Sequence, residues 1–175
     1  MSNYIEFKGN SIDSGAFDYS FSMSNGATAV FINVLCLSGG RLAETDSRKR
    51  LMVFLAEKNQ RACGIGTVGF DIVEMPWDKS SFDEDKAFML NVIDGAKNKL
   101  GWETLDYEPD EKIIFGFLDE FRKLIECMTV GDIVEESLTE WLSEAGEDDP
   151  VRCGFPKCKI HDTYESVFGC QVCME

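Results

Sequence analysis

Hydrophobic and polar residues alternate near the start of the chain, as in strands that bury one face. Residues 4–8 follow this alternation, and Phe17, Tyr19 and Phe21 share one face of a second segment. Residues 29–37 are almost continuously apolar, which is typical of a strand buried on both faces. Turn-forming residues occupy positions 24–26 and 38–40. This pattern predicts a three-stranded antiparallel meander.

The next two segments differ in how clearly they indicate their structure. Residues 46–58 contain a short apolar run that fits either a buried strand or a helix. Their length and the charged residues on both sides favour a helix with Thr45 or Asp46 as its N-cap. Residues 65–75 are rich in Val, Ile and Phe, which predicts another strand, ended by Pro76.

The second half of the chain carries apolar residues at helical spacing. Ser81 and Glu84 predict a capping box for a helix that ends at Gly101. A second helix is expected from near Asp110, and a third is expected to be capped at residues 129–132 and to end before Gly146. The predicted fold class is α+β: an N-terminal antiparallel β-sheet, a helical half and a C-terminal segment that resembles a zinc knuckle.

Four metal-ligating side chains lie close together near the end of the chain. Cys158 and His161 are separated by two residues, eight residues follow, and Cys170 and Cys173 repeat the two-residue spacing. His161 is the only histidine among 175 residues. Two such pairs indicate one tetrahedral Zn²⁺ site. Cys153 is an alternative ligand, since it could pair with Cys158 in a four-cysteine set.

The acidic linker at residues 147–150 divides the chain into a predicted globular domain, residues 1–149, and a zinc-binding segment, residues 150–175. Four protein ligands fill a tetrahedral shell and leave no position for substrate or water. The predicted zinc is therefore structural.

Two further sequence patterns are superficially those of an enzyme. Residues 64–69 match the G-x-G-x-x-G pattern, but a dinucleotide site needs a helix after the glycines, and a strand is predicted here. Asp71 and Glu74 would lie on opposite faces of that strand, which disfavours an acid/base pair. No catalytic residue is predicted, and an enzyme ranks below a binding protein.

The charge of the chain restricts its partners. With 32 acidic and 17 basic residues the formal net charge is -15, so phosphate backbones are repelled and direct nucleic acid binding is disfavoured. No apolar run is long enough to span a bilayer, and the chain opens without a signal-peptide pattern, so a cytoplasmic location and no membrane contact are expected.

Acidic residues are concentrated in the third helical region. Residues 126–149 contain nine acids and no Lys or Arg, and Asp132, Glu136 and Glu140 recur every four residues. These like charges destabilise an isolated helix. They either form a solvated face or bind a basic protein partner, whose association they would accelerate.

Three stretches resemble those of small bacterial immunity proteins, the antidotes to polymorphic or contact-dependent toxins. They are GTVGFDIVEMPW at residues 66–77, FDEDKAFM at 82–89 and FLDEF at 117–121. The resemblance implies a cytoplasmic, non-enzymatic protein that neutralises a cognate toxin, often a basic nuclease, and the acidic residues would suit such a partner. The alternative is a zinc-ribbon accessory protein of transcription or phage biology, in which Arg152, Lys157 and Lys159 help to contact protein or nucleic acid.

Overall fold

The computed structural model describes residues 2–9 and 17–173, and within them it has the predicted α+β class. Strand β1 (Ser2–Gly9) pairs antiparallel with β2 (Phe17–Ser24), and Ile5 and Phe7 on β1 are fully buried. The third strand of this sheet is the short β5 (Phe70–Asp71), which pairs parallel with β1 on its other edge. A separate two-stranded sheet joins β3 (Asn59–Gln60) to β4 (Gly66–Thr67).

The predicted third strand at residues 29–37 is wrong, because these residues lie inside helix α1 (Asn25–Leu42). Ser24 begins this helix by accepting a hydrogen bond from the backbone N–H of Ala27, so the predicted turn at 24–26 is a helix start. Twelve of the 18 residues in α1 are buried. A helix enclosed on almost every side has no polar stripe, and its sequence therefore resembles that of a buried strand.

The second predicted turn, at residues 38–40, is also wrong, because it lies within the last turns of α1. Two glycines there permit close approach of other parts of the chain. A Cβ atom on Gly39 would lie 1.8 Å from Sδ of Met52, and one on Gly40 would lie 2.2 Å from the carbonyl oxygen of Asp162. These glycines therefore serve packing rather than chain reversal.

Helix α2 (Asp46–Glu57) confirms the helical prediction and the cap, since Thr45 accepts a hydrogen bond from the N–H of Arg48.

The predicted strand at 65–75 is only partly correct. It divides into β4, β5 and a 3₁₀ turn at Ile72–Glu74. Close packing explains the last glycine of the G-x-G-x-x-G pattern at residues 64–69. A Cβ atom on Gly69 would lie 2.2 Å from the carbonyl oxygen of Tyr4.

Helix α3 (Phe82–Lys97) starts where predicted, but the capping box at Ser81 is wrong. The Ser81 hydroxyl instead donates to the buried carboxylate of Asp85 at 2.8 Å. Helix α4 (Glu111–Cys127) confirms the amphipathic prediction and is capped by Asp110. Its buried stripe consists of Ile114, Leu118, Phe121, Leu124 and Ile125.

The core surrounds α1, which contacts α2, α3 and α4 as well as the sheet. Phe31 of α1 meets Phe121 of α4 edge to face, with ring centroids 5.4 Å apart. Helix α5 (Glu135–Glu144) is peripheral, since none of its residues is buried. No helix in the described ranges combines the length and the apolar character needed to cross a bilayer.

Candidate metal centre and acidic surface

The C-terminal segment folds back on itself to place its ligands. The N–H of Cys158 donates to Thr163 O at 2.9 Å, and the N–H of Asp162 donates to Cys158 O at 2.9 Å, which forms a tight loop around His161. A second turn pairs Ser166 with Gly169 just before Cys170. Gly169 adopts a positive φ of 81°, a conformation that favours glycine.

These turns bring together the four residues predicted as metal ligands. The ligating atoms of Cys158, His161, Cys170 and Cys173 all lie within 4.8 Å of one another. Nδ1 of His161 is 3.7 Å from Cys158 Sγ, 3.6 Å from Cys170 Sγ and 3.3 Å from Cys173 Sγ. The Sγ atoms of Cys158 and Cys173 are 3.6 Å apart. The four atoms thus form a compact cluster with the imidazole Nδ1 facing the sulfurs.

The distances between these four side chains, called the metal cluster below, fit a tetrahedral ion. Bonds of about 2.3 Å to sulfur and about 2.0–2.1 Å to nitrogen give tetrahedral edges of about 3.8 Å between sulfurs and about 3.6 Å between sulfur and nitrogen. The observed edges of 3.3 to 3.7 Å are close to these values. They are far longer than a disulfide bond of about 2.05 Å. Donor type and geometry both fit a bound metal ion.

The electrostatics of the cluster also favour a cation. Burial raises the pKa of Cys158, but N–H groups of His161 and Ile160 bond to its sulfur, and the net pKa is lowered. Burial and the neighbouring sulfurs of Cys158 and Cys170 raise the pKa of Cys173 to about 12. Ionisation of Cys173 next to Cys158 is therefore disfavoured, and a divalent ion bound between the sulfurs would remove this penalty.

Cys153 lies outside the cluster. Its side chain is exposed, and its sulfur is 3.6 Å from the carbonyl oxygen of Glu147.

A buried hydroxyl group contacts one of the clustered sulfurs. Thr163 is fully buried, and its Oγ1 lies 3.3 Å from Cys170 Sγ. A hydroxyl at this position can donate to a thiolate and hold it in place.

Several contacts that the sequence did not predict fix the metal cluster to the end of α1. Arg41 donates to the carbonyl oxygen of His161 at 3.0 Å, and Lys157 donates to that of Gly40 at 2.7 Å. The Tyr164 hydroxyl donates to Ala43 O at 3.2 Å, and its ring joins the main core. The bonds to Gly40 and Ala43 satisfy carbonyl groups that a helix C-terminus leaves unpaired.

The three residues of the predicted acidic stripe, Asp132, Glu136 and Glu140, do not share one surface in the structure. Asp132 precedes α5 in a 3₁₀ turn, is only 4 % exposed, and accepts hydrogen bonds from the N–H and hydroxyl of Thr129. Glu136 and Glu140 are exposed on α5 and have no ion-pair partner among the described residues. Asp132 therefore caps a turn, whereas the other two carboxylates face solvent.

The candidate acid/base pair also has a local structural role. Glu74 accepts a hydrogen bond from the Asp71 N–H at 3.1 Å, and Asp71 accepts one from the Val73 N–H at 3.0 Å. The two residues form a capping box around the 3₁₀ turn, so the prediction that they lie on opposite faces of a strand is wrong. Both carboxylates bind backbone N–H groups of this turn.

The basic residues beside the metal cluster are largely engaged within the chain. Arg152 donates to the carbonyl oxygens of Leu142 and Ala145, at the end of α5. Lys157, besides its bond to Gly40, lies 2.6 Å from Asp162.

Comparison of the chain with protein-family models, with curated proteins and with solved structures finds no match.

Proposed function

We propose that the metal cluster holds Zn²⁺ in a structural role. Three thiolates and one imidazole are a common zinc ligand set, and all four tetrahedral positions belong to the protein. A closed shell offers no position for a substrate. The attachment of the cluster to α1 through Arg41 and Lys157 supports this role, since the metal would hold the C-terminal segment, residues 150–173, against the core.

We further propose that the chain is a non-enzymatic binding protein that neutralises a basic protein toxin in the cytoplasm. The observation that carries this proposal is the acidic face of α5, defined by Glu136, Glu140 and Glu144, all exposed. Neither Glu136 nor Glu140 is neutralised by a basic side chain in the described part of the chain. The net charge of -15 adds a long-range attraction for a basic partner. Resemblance to immunity proteins supports the choice of a toxin as that partner.

This proposal predicts a toxin gene beside the gene for this chain, and the test is a protection assay against the product of that gene. Co-expression of the wild-type chain should prevent killing. The E136K/E140K variant should lose protection, and its binding to the toxin should weaken at least tenfold at low salt, because two attractive charges become repulsive. Both positions are exposed, so the fold should tolerate the change.

The matched control is D106K/E108K, which alters net charge equally at exposed loop positions. This control should retain protection. The proposal would be overturned by the absence of a toxin gene beside this one, by failure of the wild type to protect, or by full protection from E136K/E140K. The accessory-protein alternative receives less support, because Arg152 and Lys157 already bond to carbonyl groups of the chain.

A further inference from the structure

A cavity of about 300 Å³ opens where α2, α5 and the C-terminal segment meet. Its aromatic walls are Phe54 of α2, Trp141 of α5 and Phe168, which precedes the metal ligand Cys170. Val151 and Val167 add aliphatic surface. A cavity of this size and lining can enclose a small organic group rather than a large cofactor.

Three carboxylates belong to the lining of the same cavity: Glu57, Glu144 and Asp149. Glu57 is held in place because Trp141 donates its indole N–H to Oε2 at 2.9 Å. Its other oxygen, Oε1, accepts no hydrogen bond from the residues that the structure describes. The cavity thus presents a positioned acceptor next to an aromatic ring, an arrangement that suits a cation.

Lys58 is the basic residue that lines this cavity, and it does not neutralise Glu57 directly. Its Nζ lies 4.2 Å from the ring centroid of Phe54 and 5.8 Å from that of Phe70. No ion pair joins it to Glu57 among the described residues. Three carboxylates against one ammonium leave the cavity with excess negative charge, which disfavours an anionic ligand.

We propose that this cavity binds an organic cation, a guanidinium or ammonium group on a short aliphatic stem. The cationic group would bond to Glu57 Oε1 and lie against Trp141, while the stem contacts Val151 and Val167. The same chemistry occurs in free amines and in Lys or Arg side chains of a protein. This site shares Glu144 with the acidic face of α5, but its acceptor is Glu57 and it does not include Glu136 or Glu140. It does not depend on the proposed neutralisation of a toxin.

The ionisation of Glu57 supports this inference. The pKa of Glu57 is raised from 4.5 to about 7, chiefly by burial and also by the charges of Asp149 and Glu144, although the hydrogen bond from Trp141 and the charge of Lys58 act in the opposite direction. A bound cation would replace the missing solvation of the carboxylate and favour its charged form. Affinity should therefore increase about tenfold between pH 6 and pH 8, because only the ionised fraction of Glu57 is competent to bind.

The experiment is an NMR titration of the full metal-loaded chain with n-butylguanidinium. A saturable shift of the Trp141 indole N–H signal is expected, and neutral n-butylurea and anionic butyrate should not produce it. Glu57→Gln should weaken binding at least tenfold. The amide keeps the shape of the side chain and removes a desolvated charge, so the variant should fold. The matched control Glu108→Gln removes an exposed loop carboxylate and should bind as the wild type does.

The source of the cation is distinguished by a second titration with an arginine-containing tripeptide blocked at both ends. Binding of the tripeptide as well supports a protein side chain as the occupant, whereas binding of only n-butylguanidinium supports a free small molecule. The proposal is overturned if neither cation shifts Trp141, if butyrate binds instead, or if Glu57→Gln binds n-butylguanidinium with unchanged affinity and pH dependence.

Discussion

The guanidinium of Arg41 donates to the carbonyl oxygens of Leu37 and His161, each at 3.0 Å. One side chain therefore joins the last turns of the central helix to the histidine of the metal cluster. Arg41 is only 18 % exposed, so these hydrogen bonds are partly shielded from water. The metal cluster and α1 should consequently gain and lose stability together.

Replacing Arg41 with Ala should lower the free energy of unfolding by about 1–3 kcal/mol, because two carbonyl groups lose a charged donor. Urea denaturation of the metal-loaded protein measures this change. Affinity for the metal should also fall, and competition with a chelator would detect it. The control Lys112→Ala removes an exposed cation from the start of α4 and should leave both quantities unchanged. Equal behaviour of the two variants would contradict the role assigned to Arg41.

Two glycine-to-alanine changes should have opposite effects. At Gly40 a Cβ atom would lie 2.2 Å from the carbonyl oxygen of Asp162, so Gly40→Ala must displace the metal-binding loop and should cost roughly 1–3 kcal/mol. At Gly116 in α4 nothing lies within 4 Å of the added Cβ. Gly116→Ala should therefore stabilise the protein by about 0.5–1 kcal/mol. Thermal denaturation distinguishes the two, and a stable Gly40→Ala protein with full metal affinity would contradict the close packing of Gly40 against Asp162.

Substitution of Cys170 and substitution of Cys153 should have different effects on metal content. Cys170→Ser should abolish tight metal binding and loosen residues 150–173, because structural zinc contributes about 10–16 kcal/mol of apparent binding energy in small peptides. Cys153→Ser should retain about one equivalent of zinc, since its sulfur is exposed and lies outside the cluster. Elemental analysis of both proteins, purified under reducing conditions, measures the metal content. Loss of metal from both variants would favour the alternative set, in which Cys153 replaces His161.

Glu57 should make the stability of the fold depend on pH. Its pKa is raised from 4.5 to about 7, chiefly by burial, so the folded protein holds this proton more tightly than the unfolded chain. The stabilising contribution is complete below about pH 4.5, decreases as pH rises, and is lost above about pH 7. Its size is about 3 kcal/mol.

In Glu57→Gln this decrease should be absent, so the loss of stability between pH 4.5 and pH 7 should be smaller than in the wild type. Urea denaturation at several pH values measures the difference. Glu108→Gln provides the comparison, because its carboxylate is exposed. A pH profile of Glu57→Gln that matches the wild type would show that the Glu57 carboxyl titrates normally.

The error at residues 29–37 shows what periodicity cannot reveal. A helix with apolar residues on all sides and a strand buried on both faces have similar sequences, and only the surroundings distinguish them. Gly39 and Gly40 suggested a turn because glycine is common in turns. Their actual role is to admit Met52 and the backbone of Asp162, partners that lie outside α1.

The metal cluster was predictable because its ligands are close in sequence and their spacing reflects two local turns. Its attachment to the core was not predictable. Arg41 and His161 are separated by 120 positions, and neither belongs to a motif that refers to the other. Likewise, Glu57 and Trp141 are 84 positions apart, and only the folded chain reveals their hydrogen bond.

The hydrogen bond between Trp141 and Glu57 gives the protein an internal optical reporter. The indole of Trp141 lines the cavity, whereas Trp77 is only 3 % exposed and packs against Phe82. Indole emission is sensitive to neighbouring charge and solvent, so the fluorescence of Trp141 should change when Glu57 ionises or the cavity fills. Trp77, enclosed in the core, and Trp102, which packs against Phe115 outside this cavity, would supply the background signal. Unlabelled protein could therefore be used to follow occupancy of this cavity in solution.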